Sequence, residues 1–324
     1  MKVCIFGAGA VGGHLAVQML AADPRDISIV ARGAMLAAIR KHGLTLRKGG
    51  QETHVQLAVA TDDPSALPPQ DLVLVTLKAH TAPAAAGAIA RLLAPQGCAV
   101  FLLNGIPWWW RHGLPGAGGT LPLLDPDGAL WREIGPQRVL GGVVHSPNEI
   151  VAPGVIQHSG PDHLLLGEPD GSTSMRLEAA VALLKARGVD ARIAKDLRHD
   201  ILHKLALNAS GNTIAALSRA DLGEQGTDDG LRALSITVMR EVIEVAAALG
   251  WDLRAELDLE ALARRGKPGQ RPSMLQDVTL GRSLEVEAIL GQVQAFAREK
   301  SVATPAIDVI LPLLRGLDRV IRKA

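Results

Sequence analysis

Lys204, Asn208 and Asn212 fall at positions i, i+4 and i+8 of a segment whose other residues are mostly small or apolar, including Leu205, Ala206, Leu207 and Ala209. At ~100° per residue, three such positions lie within one narrow helical face. An ammonium followed by two carboxamides is costly against apolar neighbours unless the row faces a polar cavity or belongs to an internal hydrogen-bond network. In a cavity, the ammonium could stabilise charge developing on a carbonyl oxygen and then donate a proton, and the amides could orient the substrate. The preceding His199-Asp200-Ile201-Leu202-His203 is close to the H-E-x-x-H zinc pattern. Asp stands where that pattern needs a general-base Glu, no third ligand is evident, and Lys204 would repel a cation, so no metal is expected there. The other histidines show no metal spacing.

A second chemical signal stands at the N-terminus. Gly7-Ala8-Gly9-Ala10-Val11-Gly12 matches G-x-G-x-x-G, directly after an apolar run and at the start of a helical pattern. In that context the first glycine allows a tight turn, the second lets a pyrophosphate approach the backbone, and the third lets helix and strand pack closely. Free N–H groups at the helix start, from Ala10 and Val11 onward, then receive phosphate. The residues after the second apolar run are Ala31-Arg32-Gly33, where an NAD site usually carries an acid. Asp23 and Asp26 lie at the other end of that run. Arg32 therefore points to the extra phosphate of NADP, the other reading being an ordinary exposed loop residue. Lys78 ends LVLVTLK and Asn104 ends CAVFLLNG, both at the carboxyl ends of apolar runs, where ligands of open parallel sheets bind.

These residues need a scaffold of alternating strands and helices. Residues 2–6, 27–31, 72–77 and 99–103 read as strands, and residues 11–21 and 82–93 as helices, a β-α-β alternation that predicts a parallel sheet covered on both faces. Residues 44–46 and 55–59, around Lys48-Gly49-Gly50, read as a small hairpin insert. Short runs continue from 139 to 166. Beyond Arg192 the patterns become long and helical: 196–213, 228–249, 284–300 and 306–323. The expected architecture is α/β, an N-terminal Rossmann-type parallel sheet (1–193) followed by an all-helical C-terminal domain (194–324).

The composition sets limits. The chain has 324 residues, 48% hydrophobic and 21% charged, with a formal net charge of +1, so no excess of one sign argues for nucleic acid or an anionic membrane. Cys4 and Cys98 each sit in a strand-like run and read as buried hydrophobes. No uncharged apolar run is long enough for a membrane span, and the first residues read as a strand and not a signal peptide, so a cytoplasmic location is expected. Aromatics are scarce, with three Phe, five Trp and no Tyr. Trp108, Trp109 and Trp110 are consecutive, and their place just after Asn104-Gly105 suggests a wall on the substrate side, or a patch at a subunit interface.

Taken in order along the chain, GAGAVG, the TLKA around Lys78, the LNG around Asn104, KLALN with Asn212, and SMLQD with Glu285 resemble the ketopantoate reductase (2-dehydropantoate 2-reductase) family over essentially the whole length. The resemblance implies NADPH-dependent reduction of 2-dehydropantoate to (R)-pantoate, a step of pantothenate biosynthesis. It implies Lys204 as proton donor and Glu285 at the cofactor–substrate junction. Asn104, Asn208, Asn212 and Ser273 would bind the 2-keto acid. Gly7, Gly9, Ala10, Val11, Gly12, Arg32, Lys78, Asn104 and Glu285 would bind NADP(H). A homodimer is compatible with the sequence. The family often carries a further substrate-binding Asn where this chain reads Leu222-Gly223-Glu224, and the stretch after the three Trp is longer than expected. Both departures leave room for a different 2-keto or 2-hydroxy acid on the same scaffold. A non-catalytic NADP-binding sensor is the alternative from another class. Arg264 to Arg271 forms a basic loop that could close over an anion or remain solvated.

Overall fold

The computed structural model describes residues 1–23, 27–116 and 118–323, and Asp26 lies outside them. The chain divides into two compact units, residues 1–103 with 107–197, and residues 104–106 with 198–324.

Among the described residues the first unit carries twelve strands: β1 Val3–Phe6, β2 Ile27–Val30, β3 Leu44–Lys48, β4 Gln51–Val55, β5 Val59–Thr61, β6 Gln70–Val75, β7 Leu93–Phe101, β8 Val139–His145, β9 Asn148–Ala152, β10 Val155–His158, β11 His163–Gly167 and β12 Ala191–Ile193. Eight form the main sheet in the order β12-β11-β8-β7-β6-β1-β2-β5. All its neighbours are parallel except the antiparallel pair β8–β11. β1 and β2 are buried along their whole length, as a parallel strand covered on both faces must be, which explains their unbroken apolar runs. The helices of this unit are α1 Ala10–Ala22, α2 Gly33–His42, α3 Ala86–Leu92 and α4 Met175–Ala186.

The insert is larger than a hairpin. β3 and β4 pair antiparallel, and β10 joins β3 in parallel with β9 on its far side, giving a second sheet β4-β3-β10-β9. Residues 55–59 are not one strand: β4 stops at Val55, and β5 begins at Val59 and pairs with β2 in the main sheet. The helix read from residue 82 begins at Ala86, after short turns at Ala79–Thr81 and Pro83–Ala85.

The second unit is helical: α5 Leu197–Ser218, α6 Leu222–Thr227, α7 Asp229–Leu249, α8 Leu259–Arg264, α9 Ser273–Thr279, α10 Gln292–Glu299 and α11 Pro305–Ile321. Asp228 caps the start of α7 by accepting from the Leu231 amide, and Gly250 ends it in the left-handed region at φ 108°. Buried Glu241 on α7 accepts the Ala306 and Ile307 amides at 2.7 and 2.9 Å, which satisfies the open end of α11. Just before α10, residues Glu287–Gly291 form a π-turn. Its Gln292 amide reaches back five residues to the Glu287 carbonyl, and the Ala288 carbonyl accepts the Ile106 amide at 2.8 Å. Among the described residues no helix is long and apolar enough to cross a membrane.

Candidate active site and dinucleotide site

In the first unit the three motif glycines meet three different constraints. Gly7 has φ +115°, a conformation open to glycine at little cost. A Cβ on Gly12 would stand 2.0 Å from the Gly7 carbonyl oxygen and 2.5 Å from Thr76 Oγ1, so the third glycine is set by helix–strand packing. A Cβ on Gly9 would meet only Thr76 O, at 3.9 Å. The protein itself therefore leaves the space over Gly9 clear, as an approaching pyrophosphate requires. Gly9 caps α1 without a side-chain hydrogen bond, and the first turn has no acid, so the helix start fits a dinucleotide phosphate.

The rest of this site lies at strand ends. The Gly7 amide donates to the Val30 carbonyl at 3.0 Å, which fastens the glycine turn to the carboxyl end of β2. Arg32 follows that end as the exposed cap of α2, and among the described residues no carboxylate pairs with it. Lys78 follows β6, next to β1 in the sheet. Thr76 was missed by motif reasoning: its hydroxyl donates to the Gly7 carbonyl at 2.6 Å and holds the turn from beneath. Its only sequence signal is a hydroxyl residue at the end of β6.

The three tryptophans require a correction. Trp108, Trp109 and Trp110 are only 2%, 1% and 1% exposed, so they neither wall an open face nor form a surface patch. Trp108 packs edge-on against Phe101 and Trp131 at centroid distances of 5.6 and 6.3 Å, and a Cβ on Gly141 would strike the Trp109 ring. They supply aromatic bulk to the interior of the first unit.

In the second unit, side chains distant in sequence converge. The Lys204 ammonium on α5 donates to Asn104 Oδ1 at 3.0 Å, and Asn104 Nδ2 donates to Glu285 Oε2 at 3.3 Å. Gly105, at φ +81°, makes this approach possible, since a Cβ there would fall 2.2 Å from the Ala288 carbonyl oxygen. Glu285 is buried and Lys204 half-buried. Burial pushes the Lys204 pKa down to about 8, and the Glu285 carboxylate partly opposes that shift.

Farther along the same helical face, buried Asn212 accepts from Ser273 Oγ at 3.1 Å and from the Met274 amide at 3.0 Å. Pro272, which precedes α9, offers no side-chain cap, so the Asn212 carbonyl oxygen caps this helix from another element. That function was invisible in the i, i+4, i+8 spacing. Asn208 is half-buried and its amide makes no hydrogen bond among the described residues, which leaves it available to a ligand. The structure thus joins Asn104, Lys204 and Glu285 in one chain of contacts and Asn212 with Ser273 in another.

The remaining candidates settle into structural roles. His199 Nε2 lies 2.8 Å from Glu256 Oε2. The basic loop is docked by its backbone: the Gly269 amide donates to Asp221 Oδ2 at 2.7 Å and the Leu222 amide to the Gln270 carbonyl at 3.0 Å. Asp221 and Glu224 form a capping box on α6.

Comparison with known proteins places the chain in a family. The family model for ketopantoate reductase PanE/ApbA matches residues 3–171, and its C-terminal counterpart matches residues 196–318. The 2-dehydropantoate 2-reductase of Mesorhizobium japonicum is 40% identical over 319 residues, 98% of either chain. The chain belongs to the ketopantoate reductase family. A solved structure of a candidate ketopantoate reductase from Ralstonia solanacearum MolK2 is 34% identical, with TM-score 0.90 over 98% of each chain. A D-mandelate dehydrogenase solved with NADH and anilino(oxo)acetate shares the fold at 20% identity, with TM-score 0.83 over 99% of this chain and 100% of the other.

Proposed function

We propose that this chain reduces 2-dehydropantoate to (R)-pantoate with NADPH, the reductive step of pantothenate biosynthesis. The observation that carries the reading is the Lys204–Asn104–Glu285 chain, with an ammonium whose pKa burial brings to about 8. Reduction of a 2-oxo acid adds hydride to the carbonyl carbon and a proton to the carbonyl oxygen, and the nicotinamide is the source of the hydride. Lys204 supplies the proton: at neutral pH it is charged, it stabilises negative charge on the oxygen, and its lowered pKa eases release. Asn104 holds the Lys204 ammonium at a fixed position, and Glu285 keeps Asn104 turned so that its carbonyl oxygen faces that ammonium. Asn208 and Ser273 orient the substrate's carboxylate and hydroxyl groups, and Asn212 fixes Ser273.

NADPH, as opposed to NADH, is favoured by Arg32, which stands where an NAD site has an acid and pairs with no described carboxylate. A homodimer belongs to the same reading. The apolar row of Val309, Leu313 and Val320 on one face of α11, 64%, 56% and 66% exposed, is a surface it could use.

Leu222 in place of the Asn favours a second reading, a different 2-oxo acid on the same machinery. A panel of 2-oxo acids assayed for NADPH oxidation separates the two. The first reading expects the highest kcat/KM for 2-dehydropantoate and a clear preference for NADPH. A tenfold or greater preference for another acid would transfer the proposal to that substrate, and nucleotide binding without turnover of any acid would make the chain a sensor.

A further inference from the structure

A second cluster of ligand-type side chains lies in the first unit, away from the residues above. His14 Nε2 on α1 lies 3.0 and 3.1 Å from the two carboxylate oxygens of Asp162. The Ser146 hydroxyl lies 3.0 Å from Asp162 Oδ1 and 3.4 Å from His158 Nδ1. Asn148 Oδ1 stands 2.9 Å from His158 Nδ1. His14 and His158 are 1% and 4% exposed, and their ring centroids are 4.8 Å apart. Among the described residues, His14, His158 and Asp162 are the group of His, Cys, Asp or Glu side chains whose ligand atoms converge in this way.

The hydrogen bonds around His158 do not close on a neutral ring. Asn148 Nδ2 donates to the Ser146 carbonyl and hydroxyl at 3.1 and 3.0 Å, which turns its own Oδ1 toward His158 Nδ1. The other ring nitrogen, Nε2, faces the Gly160 carbonyl at 3.2 Å. Both nitrogens therefore face acceptors, and a neutral imidazole has one proton for the two. A cation on Nδ1 resolves the conflict: Nε2–H donates to Gly160, as metal-bound histidines donate their second nitrogen to a carbonyl, and Asn148 Oδ1 becomes a ligand neighbour. The closest donor pairs are 2.9–3.4 Å apart and the ligand atoms of His14, His158 and Asp162 all lie within 4.8 Å of one another, so bonds of ~2.0–2.2 Å require these side chains to draw together on an ion.

We propose that His14, His158 and Asp162, completed by Ser146 Oγ and Asn148 Oδ1, bind one divalent transition-metal ion of the zinc class and clasp α1 to β10. Two imidazoles with one carboxylate suit zinc better than calcium or magnesium, which prefer shells of oxygen. The Gln18 amide, 2.7 Å from Asp162 Oδ2, and the Lys48 ammonium, 2.6 Å from the same oxygen, occupy the outer carboxylate oxygen and leave Oδ1 to the ion, which must compete with the half-exposed Lys48 for the carboxylate charge. The clasp has a place in the dinucleotide site. His14 lies two residues after Gly12, and a Cβ on neighbouring Gly13 would stand 2.7 Å from the Ile156 side chain of β10, so α1 and β10 are already in close contact. The ion's role is structural: it fixes the helix whose N-terminus fits the phosphates.

The test uses the full chain, free of any polyhistidine tag, stripped with chelator and returned to Zn²⁺ or Co²⁺. One equivalent of zinc should remain after gel filtration and should raise Tm by several degrees. Co²⁺ should give visible absorption bands of a nitrogen–oxygen site. His158→Gln and Asp162→Asn should each weaken binding at least a hundredfold and remove the Tm shift, whereas His199→Ala should keep both. Less than half an equivalent bound by the unmodified chain overturns the proposal without reference to any variant. Full binding by both site variants, or its loss in His199→Ala, overturns it as well, since the ion would then sit elsewhere.

Discussion

The two regions that would serve the reaction are built from opposite materials. Around Gly7, Gly9 and Gly12 the site is made of backbone: a turn at positive φ, a helix start without a capping side chain, and a helix–strand contact that excludes a methyl group. Around Lys204 it is made of side chains from three distant segments, held by two hydrogen bonds and charged in a half-buried setting. The first is a steric device whose failure is structural. The second is an electrostatic device whose failure is chemical, because each side chain can be shortened without a clash. Substitutions in the two regions should therefore separate stability and cofactor affinity from turnover.

The largest effect is expected at Gly12→Ala. Its methyl group would stand 2.0 Å from a backbone oxygen that cannot move without opening β1 from α1. The loss should be about 4 kcal/mol or more, with failure to bind NADPH in whatever fraction folds, measured by chemical denaturation and cofactor fluorescence. If the variant folds and binds normally, the close approach is not a constraint and the contrast between the regions is lost.

Next, Lys204→Ala should lower kcat about 10²–10⁴-fold, the usual range for a positioned acid. NADPH affinity should hold, because the glycine turn and Arg32 belong to the first unit. The sign for stability is also fixed. The folded pKa of Lys204, about 8, lies below the ordinary lysine value of 10.5, so the unfolded chain binds more protons between these values. The group's destabilising effect is full below about pH 8 and is relieved as pH rises toward 10.5. Lys204→Ala should thus be no less stable than the parent at pH 7, as thermal unfolding can show.

A smaller effect belongs to Arg32→Ala, which should raise KM for NADPH roughly ten- to a hundredfold, the worth of a charge-assisted contact, and leave KM for NADH nearly unchanged. Equal changes for both cofactors would remove the argument for the 2′-phosphate. The smallest is Asn212→Ala, where loss of the cap on α9 should cost about 1 kcal/mol of stability. It should also raise KM for the keto acid through a displaced Ser273, with NADPH binding unaffected. A change in KM without any loss of stability would make Asn212 a direct ligand and not a cap.

How much of this could be read beforehand follows from the distances along the chain. The glycine turn was legible because its strand, turn and helix are contiguous and each residue type has a local steric reason. The row on α5 was legible as a row, because helical spacing is local too. The links from Lys204 to Asn104 and on to Glu285, across 100 and 181 residues, were not in the spacing, and only resemblance brought those residues together. The tryptophans misled because position after a strand end says nothing of which way a ring turns, and burial decided it. Residues 55–59 misled because one apolar run served two sheets. His14, His158 and Asp162 gave no signal at all: the first two stand 144 positions apart, and β10 lies beside the insert strand β3 in the second sheet.

The central claim is that Lys204, brought to a pKa of about 8 by burial, is the proton donor of a 2-oxo acid reductase. The pH dependence of kcat/KM for NADPH-driven reduction of 2-dehydropantoate tests it most directly. The ammonium is the active form, so the rate should be level below pH 7 and fall about tenfold per unit above an apparent pKa near 8, and this limb should be missing from the residual activity of Lys204→Ala. A rate that stays level to pH 9.5, or one that falls with the same limb in Lys204→Ala, would contradict the assignment of the acid to Lys204.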